Sequence, residues 1–246
     1  MVKTAIITGA SSGIGRHSAI CLSKDGWRLV LTARRSDLLE ETASLCVNQT
    51  LILAGDITDE PFVKSVFEAT IERFGRLDLL FNNAGISPKQ VSIEELSLKD
   101  FQNVIDVNLV GSFIAAREAI KIFKSQTPQG GRIINNGSLS AHVPRPNSSP
   151  YACSKHAISG LTKCIALEGR PFNITCTQID IGNAHTSMAI GHTVGALQPD
   201  GRTIPEPTMD VAHVASTIVH IASMPPDVAM LEVNIMAAGA PFVGRG

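Results

Sequence analysis

Aromatic side chains are scarce here: among 246 residues there are one Trp, one Tyr and nine Phe. So few rings offer little stacking surface to nucleic-acid bases. No basic stripe accompanies them, since Arg34-Arg35 is the only adjacent basic pair and the formal net charge is −1. A nucleic-acid partner is therefore not expected. Long apolar runs are also missing. A stretch such as Leu77 to Phe81, interrupted by Asp78, falls far short of the roughly 20 residues that span a bilayer. Met1-Val-Lys-Thr passes directly into a strand-like run and Gly9, without the apolar core and small-residue cleavage site of a secretory leader. The five cysteines (Cys21, Cys46, Cys153, Cys164, Cys176) are odd in number, widely spaced and free of C-x-x-C pairing. Neither a disulfide framework nor a zinc site is expected, and reduced thiols point to the cytoplasm. No His–carboxylate cluster has metal-ligand spacing, so no metal is expected.

What the chain does have is alternation. Strand-like runs at Thr4 to Thr8, Arg28 to Thr32, Leu51 to Ala54, Leu77 to Phe81, Arg132 to Asn136, Asn173 to Ile179 and Leu231 to Met236 are separated by segments of helical period. The helices are expected from about Gly13 to Asp25, Ser36 to Val47, Pro61 to Phe74, Leu98 to Lys124, Ser149 to Glu168 and Thr208 to Ser223. This pattern predicts an α/β fold: one Rossmann-like, doubly wound sheet of about seven parallel strands with helices on both faces. No linker or composition shift divides the chain, so residues 1–246 read as one domain. The stretch 185–207 holds three glycines and three prolines and reads as a loop without strands or helices, suited to closing over a substrate.

Ile6-Ile-Thr-Gly-Ala-Ser-Ser-Gly-Ile-Gly15 ends the first strand and opens the first helix. Glycines there let backbone approach a ligand closely, and a helix N-terminus offers free N–H groups to a pyrophosphate. The turn, with Gly9, Ser11, Ser12, Gly13, Ile14 and Gly15, is the candidate dinucleotide site. After the second strand comes Thr32-Ala33-Arg34-Arg35, with no carboxylate before Asp37. A carboxylate would serve the ribose hydroxyl of NAD, whereas Arg34 suits the 2′-phosphate of NADP; NADP(H) is favoured over NAD(H).

Tyr151 and Lys155 stand four residues apart, hence on one helix face, and Ser138 lies thirteen residues upstream of Tyr151. A free phenol titrates near 10, too high for efficient proton exchange at neutral pH. A cation about 4 Å away would favour the phenolate by roughly three pKa units and bring the tyrosine close to working pH.

Taken together, Thr8-Gly9-x3-Gly13-Ile14-Gly15, Asp56-Ile57, Asn82-Asn83-Ala84-Gly85, Asn108, Ser138 and Tyr151-x3-Lys155 make the chain resemble the short-chain dehydrogenase/reductase family in its short, single-domain form. The resemblance implies that Asp56 and Ile57 hold an adenine ring and that Asn83, Ala84 and Gly85 lie under a cofactor ribose. It implies that Ser138 bonds the substrate oxygen, Tyr151 exchanges the proton, and Lys155 binds the nicotinamide ribose and biases Tyr151. Asn108, through its backbone, would hold a water linking Lys155 to solvent. After the sixth strand the family usually has Pro-Gly, but here the run is Ile181-Gly182-Asn183-Ala184-His185-Thr186. Losing the proline would loosen the turn. Gly182 and Thr186 still fit, and the resemblance implies that the Ala184 backbone meets the nicotinamide amide and Thr186 that amide or a phosphate.

The expected activity is hydride transfer between NADP(H) and a small carbonyl or alcohol substrate, with Tyr151 as acid and base, in a homodimer or homotetramer. The alternatives are a repurposed family member, such as an imine reductase or a secondary-metabolite pathway enzyme, and a non-catalytic NADP-sensing protein. The sparsely charged 185–207 loop suggests a largely apolar pocket, with Arg145 and Arg202 able to meet an acidic substrate. His142 and His185 fall near the site in sequence but read as loop histidines, and Cys153 as a small packing residue.

Overall fold

Apolar strands bury both faces only if helices cover both, and that requirement organises the molecule. The computed structural model describes residues 2–186 and 195–242. The strands are β1 (Thr4–Thr8), β2 (Arg28–Ala33), β3 (Thr50–Ala54), β4 (Leu79–Asn82), β5 (Gly131–Asn136), β6 (Ile174–Ile181), β7 (Ala196–Leu197), β8 (Thr203–Ile204) and β9 (Glu232–Ile235). Seven of them form a single sheet in the order β3-β2-β1-β4-β5-β6-β9, every pair parallel. The helices are α1 (Gly13–Lys24), α2 (Ser36–Ser44), α3 (Glu60–Phe74), α4 (Leu98–Ile105), α5 (Gly111–Ser125), α6 (Ser149–Gly169) and α7 (Val211–Ser223).

The two-residue period of the strands sorts their side chains between two cores. Ala5, Ile7, Leu29, Leu31, Leu79 and Phe81 meet Leu22 of α1, Leu39 of α2 and Val214 and Ile218 of α7. Ile6, Val30, Leu80 and Ile133 face the other way, onto Val66 and Phe67 of α3, Phe123 of α5 and Ile165 of α6. The predicted doubly wound sheet is present. Its order reverses beside β1, which pairs with β2 on one side and β4 on the other. A crevice opens at such a point, beyond the carboxyl ends of the strands.

The structure departs from the sequence reading in three places that matter. The single helix expected from Leu98 to Lys124 is interrupted: a π-helical stretch, Asp106–Val110, separates α4 from α5. Asn108 inside it is buried and tied to neighbouring elements, and a Cβ on Gly111 would lie 2.8 Å from the Ile57 side chain. The wider turn lets both contacts form. Second, the 185–207 stretch is not all loop. β7 and β8 pair antiparallel, with Gln198 N–H donating to the Arg202 carbonyl at 2.8 Å and Gly201 in the turn at φ +83°. Third, the segment after β6 is anchored rather than loosened. Ile181 is the last residue of β6, packs in the core at 7% exposure, and pairs with Ile235. Gly182 N–H donates to Ile235 O at 2.9 Å, and Ala184 bridges to Met209. Residues 187–194 of the expected substrate loop lie outside the described residues.

Candidate active site

The carboxyl ends of β1, β4, β5 and β6 converge on two adjoining depressions. One is a groove lined by Gly9, Ser11, Ser12, Gly13, Ile14, Arg34, Asp56, Ile57, Asn83, Ala84 and Gly85. The candidate residues of the first four βα connections, Gly15 excepted, are thus gathered in one place. Gly9 adopts φ +67°, and a Cβ on it would stand 2.9 Å from both Ala84 Cα and Asn83 Nδ2. Asn83 closes the floor: its Nδ2 donates to Thr8 O at 2.9 Å and Gly9 O at 3.2 Å. A Cβ on Gly15 would collide with the Gly9 carbonyl and the Asn83 amide. Gly15→Ala is therefore expected to cost about 1–3 kcal/mol of stability, read as a lowered melting temperature, and to weaken dinucleotide binding measured by fluorescence.

The groove fits an anionic dinucleotide by its donors. Ser12 occupies the N-cap position of α1 but makes no capping bond, and among the described residues no other side chain caps that terminus. The hydroxyls of Ser11 and Ser12 instead accept hydrogen bonds from Arg35 Nη2 at 3.1 and 3.0 Å. The first-turn N–H groups and a guanidinium thus face the same groove. The sequence reading chose Arg34, which lines the groove beside Asp56; it passed over Arg35, which makes the contacts to the glycine turn. Asp56 is held by Thr58, whose N–H and hydroxyl both donate to Oδ1, and these bonds keep its carboxyl below the usual range.

The second depression is lined by Gln90, Ser138, Leu139, Val143, Arg145, Tyr151, Asn183, Glu206 and Phe242, with Gly182 and Ala184. Ile14, Asn136 and Thr186 line both depressions and mark the seam between them. Asn136 was missed in the sequence; its place at the end of β5, beside Asn83, was the available signal. Its Nδ2 donates to Asn83 Oδ1 at 2.9 Å and its carbonyl accepts from Lys155 Nζ at 2.6 Å.

Beside this seam Ser138 and Tyr151 line the same wall of the second depression, and the Ser138 hydroxyl acts on the phenol's titration. Ser138 is fixed in turn: its Oγ accepts from Ser140 N–H at 3.1 Å, and its own N–H donates to Asp180 Oδ1 at 2.8 Å. Lys155 is 5% exposed, and its Nζ lies 5.4 Å from the Tyr151 ring centre. The structure reverses the direction expected at the phenol. Burial pushes Tyr151 above its ordinary value, with the Ser138 hydroxyl pulling the other way. Burial also pushes the Lys155 ammonium down to about 8. Asn108 is 1% exposed; its Nδ2 donates to Ile86 O at 3.1 Å and Ser154 Oγ at 3.3 Å, and its Oδ1 accepts from Ile86 N–H at 2.8 Å. The amide therefore ties the π-helical turn to α6 one residue before Lys155.

The pocket lining is more apolar than polar, as expected, but one wall also carries an ion pair: Arg145 grips Glu206 with Nη1 at 2.9 Å and Nη2 at 2.5 Å, and this changes a further expectation. Arg145 is thereby committed to a carboxylate of this chain, and Arg202 pairs with Asp200 in an exposed turn. Neither is presented to an acidic substrate. His142 does not line the pocket but reaches Asp180; His185 is exposed, and Cys153 is an exposed thiol.

With this geometry in place, the chain can be set beside known proteins. The pattern of the short chain dehydrogenases matches residues 3–193. A 3beta-hydroxysteroid dehydrogenase of Mediterraneibacter gnavus is 36% identical over 184 residues, which cover 72% of this chain and 64%, less than two thirds, of that relative. The 3-ketoacyl-(acyl-carrier-protein) reductase of Brucella melitensis, solved in complex with NADH, superposes with a TM-score of 0.85 at 27% identity over 96% of this chain and 97% of its own. An alcohol dehydrogenase of Thermococcus sibiricus, complexed with 5-hydroxy-NADP, gives the same TM-score at 25% identity, covering 98% of this chain and 99% of that one. The protein belongs to the short-chain dehydrogenase family, a family of oxidoreductases. No described helix is long and apolar enough to cross a membrane.

Proposed function

We propose that this protein is an NADP(H)-dependent oxidoreductase that interconverts a ketone or aldehyde with the corresponding alcohol. The observation that carries the reading is that Ser138 and Tyr151 line the substrate pocket together, beside the seam where it meets the dinucleotide groove. When bound, the nicotinamide supplies or accepts the hydride. Gly9, Ser11, Ser12, Gly13, Ile14 and Gly15 receive its pyrophosphate, Asp56 and Ile57 the adenine, and Asn83 to Gly85 the adjoining ribose. Gly182, Ala184 and Thr186 face the nicotinamide end. Ser138 donates to the substrate oxygen, and Tyr151 delivers the proton to it as negative charge develops there. Lys155, held by the Asn136 carbonyl, meets the nicotinamide ribose hydroxyls. The Asn108 carbonyl, which also accepts from Ser112 Oγ at 3.0 Å, would hold the water through which the site exchanges protons with solvent.

A secondary alcohol or ketone of small to middle size suits the pocket, and the similarity to a hydroxysteroid dehydrogenase supports that class. In this reading residues 1–246 act as one cytoplasmic domain, assembled as a homodimer or homotetramer. The cofactor choice rests on Arg34 and Arg35, because related structures carry both NADH and an NADP derivative. Turnover of a panel of ketones, aldehydes and imines with NADPH and with NADH tests the proposal. NADPH is expected to be preferred, and Arg34→Ala to raise its KM roughly tenfold to hundredfold, the worth of one charge-assisted hydrogen bond. The KM for NADH should barely move. A wild-type preference for NADH would overturn the assignment, and turnover of imines alone would favour the repurposed reading.

A further inference from the structure

Asp180 is a charged residue with no part in the reaction just described. It lies near the end of β6 with no solvent exposure. Its carboxylate is held from three residues, one of which, Ser138, belongs to the catalytic wall. Oδ1 accepts from the Ser138 N–H at 2.8 Å and from Gln178 Nε2 at 2.8 Å. Oδ2 accepts from Gln178 Nε2 at 3.0 Å and from His142 Nε2 at 2.8 Å. The neighbouring turn is shaped around it, since a Cβ on Gly137 would collide with Oδ1. His142 in turn packs edge-on against Phe242, ring centres 6.2 Å apart, and Phe242 lines the substrate pocket. A buried carboxylate is costly to keep unless its hydrogen bonds hold it in place, and here four of them do.

We propose that Asp180 is a positioning residue for the reaction: it fixes the Ser138 backbone and sets a buried negative charge behind the wall that Ser138 shares with Tyr151. The inference rests on Tyr151 being the proton donor. The charged groups around Tyr151 are Lys155 on its own helix, Arg145 and His142 from the loop before α6, Asp180 from β6, and Glu206 reaching it through Arg145. Arg145 favours the phenolate and Asp180 opposes it; Asp180 also favours the Lys155 ammonium. The sign is thus the same at both groups. Asp180 extends to higher pH the range in which Tyr151 carries the proton that carbonyl reduction needs.

The chain has a single tyrosine, so tyrosinate absorbance reads Tyr151 directly, without cofactor or turnover. Lys155, with its ammonium pushed down to about 8, is already neutral where the phenol titrates, so the shift reports on the carboxylate. Asp180→Asn removes the charge and keeps the size. Its amide can still accept from Ser138 N–H, and it can donate to Gln178 Oε1, which has no partner among the described residues. The Tyr151 midpoint should fall by roughly half to one pH unit in Asp180→Asn, and likewise in the smaller neutral variant Asp180→Ser. His142→Gln, which keeps a donor to Oδ2, should leave it in place. Circular dichroism at each pH confirms that the variant read is folded. Unmoved midpoints in both neutral variants, or an equal shift in His142→Gln, would overturn the proposal. In the active enzyme, the high-pH limb of kcat/KM for reduction should move downward in the same variants. Absence of all turnover would sink the oxidoreductase reading and leave the titration result standing.

Discussion

Tyr151→Phe is expected to lower kcat for carbonyl reduction by about 10²- to 10⁴-fold while NADPH still binds. Phenylalanine keeps the ring in its place on α6 and removes only the hydroxyl. The dinucleotide groove does not include Tyr151 among its lining residues, so its binding surface is untouched. No second phenol can substitute, because the chain has only one. Ser138 remains and still donates to the developing oxyanion, which sets the floor of residual activity. Single-turnover kinetics with NADPH, beside a fluorescence titration of its binding, separates the two effects. A variant retaining more than about a tenth of the wild-type rate would show that the proton comes from elsewhere.

The charge state of that phenol shows how magnitudes decide between readings. Full burial can move a titrating group by about 3–5 units, against roughly two for a unit charge some 5 Å away at an effective dielectric near 20. Sequence spacing placed the cation correctly on the same helix face but could not see the burial. Lys155 also points its ammonium at the Asn136 carbonyl rather than at the phenol oxygen. In the structure burial wins, Tyr151 stays protonated, and the site stands ready as a proton donor.

Much of the fold was legible because its signals are local. The β1 bounds, Thr4–Thr8, coincide with the first apolar run, and Asp59, Ser97 and Asp210 cap α3, α4 and α7 through their side chains. One boundary slipped where apolar residues serve no core, and another where a core residue, Leu77, stands outside the ladder. Leu45 and Val47 extended the expected second helix, yet they are 53% and 68% exposed, and α2 stops at Ser44. Leu77 was assigned to a strand, but its N–H goes to Gln126 Oε1 instead of the ladder. β7 and β8 have two residues each, too short for any period to register. In the site, the glycine turn and the Ser138, Tyr151 and Lys155 set could be read from spacing. Arg145 with Glu206, separated by 61 positions, and Asp180 with Ser138, by 42, could not, because only the folded sheet brings them together.

The Arg145–Glu206 pair should carry the largest stability effect. The Glu206 side chain is 2% exposed and that of Arg145 19%. Besides both guanidinium bonds, Glu206 accepts from Asn183 Nδ2 at 2.9 Å and Gln198 Nε2 at 3.1 Å. These partners outweigh its desolvation and hold its carboxyl down at about 2, against 4.5 for a free glutamate. Because the folded value lies below the unfolded one, the contribution is fully present above about pH 4.5. It is lost as pH falls toward 2. Glu206→Gln leaves a largely buried guanidinium without its counter-charge, which costs about 3 kcal/mol, the low end for a broken buried pair because Arg145 keeps some solvent contact. The melting temperature at neutral pH should drop by roughly 5–10 °C, and the loss should shrink as the medium is acidified. Replacing both partners, as Arg145→Met with Glu206→Leu, should recover most of the stability, since a buried pair is worth little over well-packed apolar groups. The double variant should nevertheless raise the substrate KM, because the pair joins the wall before α6 to the segment after β8 across the pocket. Equal melting temperatures for wild type and Glu206→Gln at neutral pH would mean that the pair is solvent-screened and that the pocket wall is held by Asn183 and Gln198 alone.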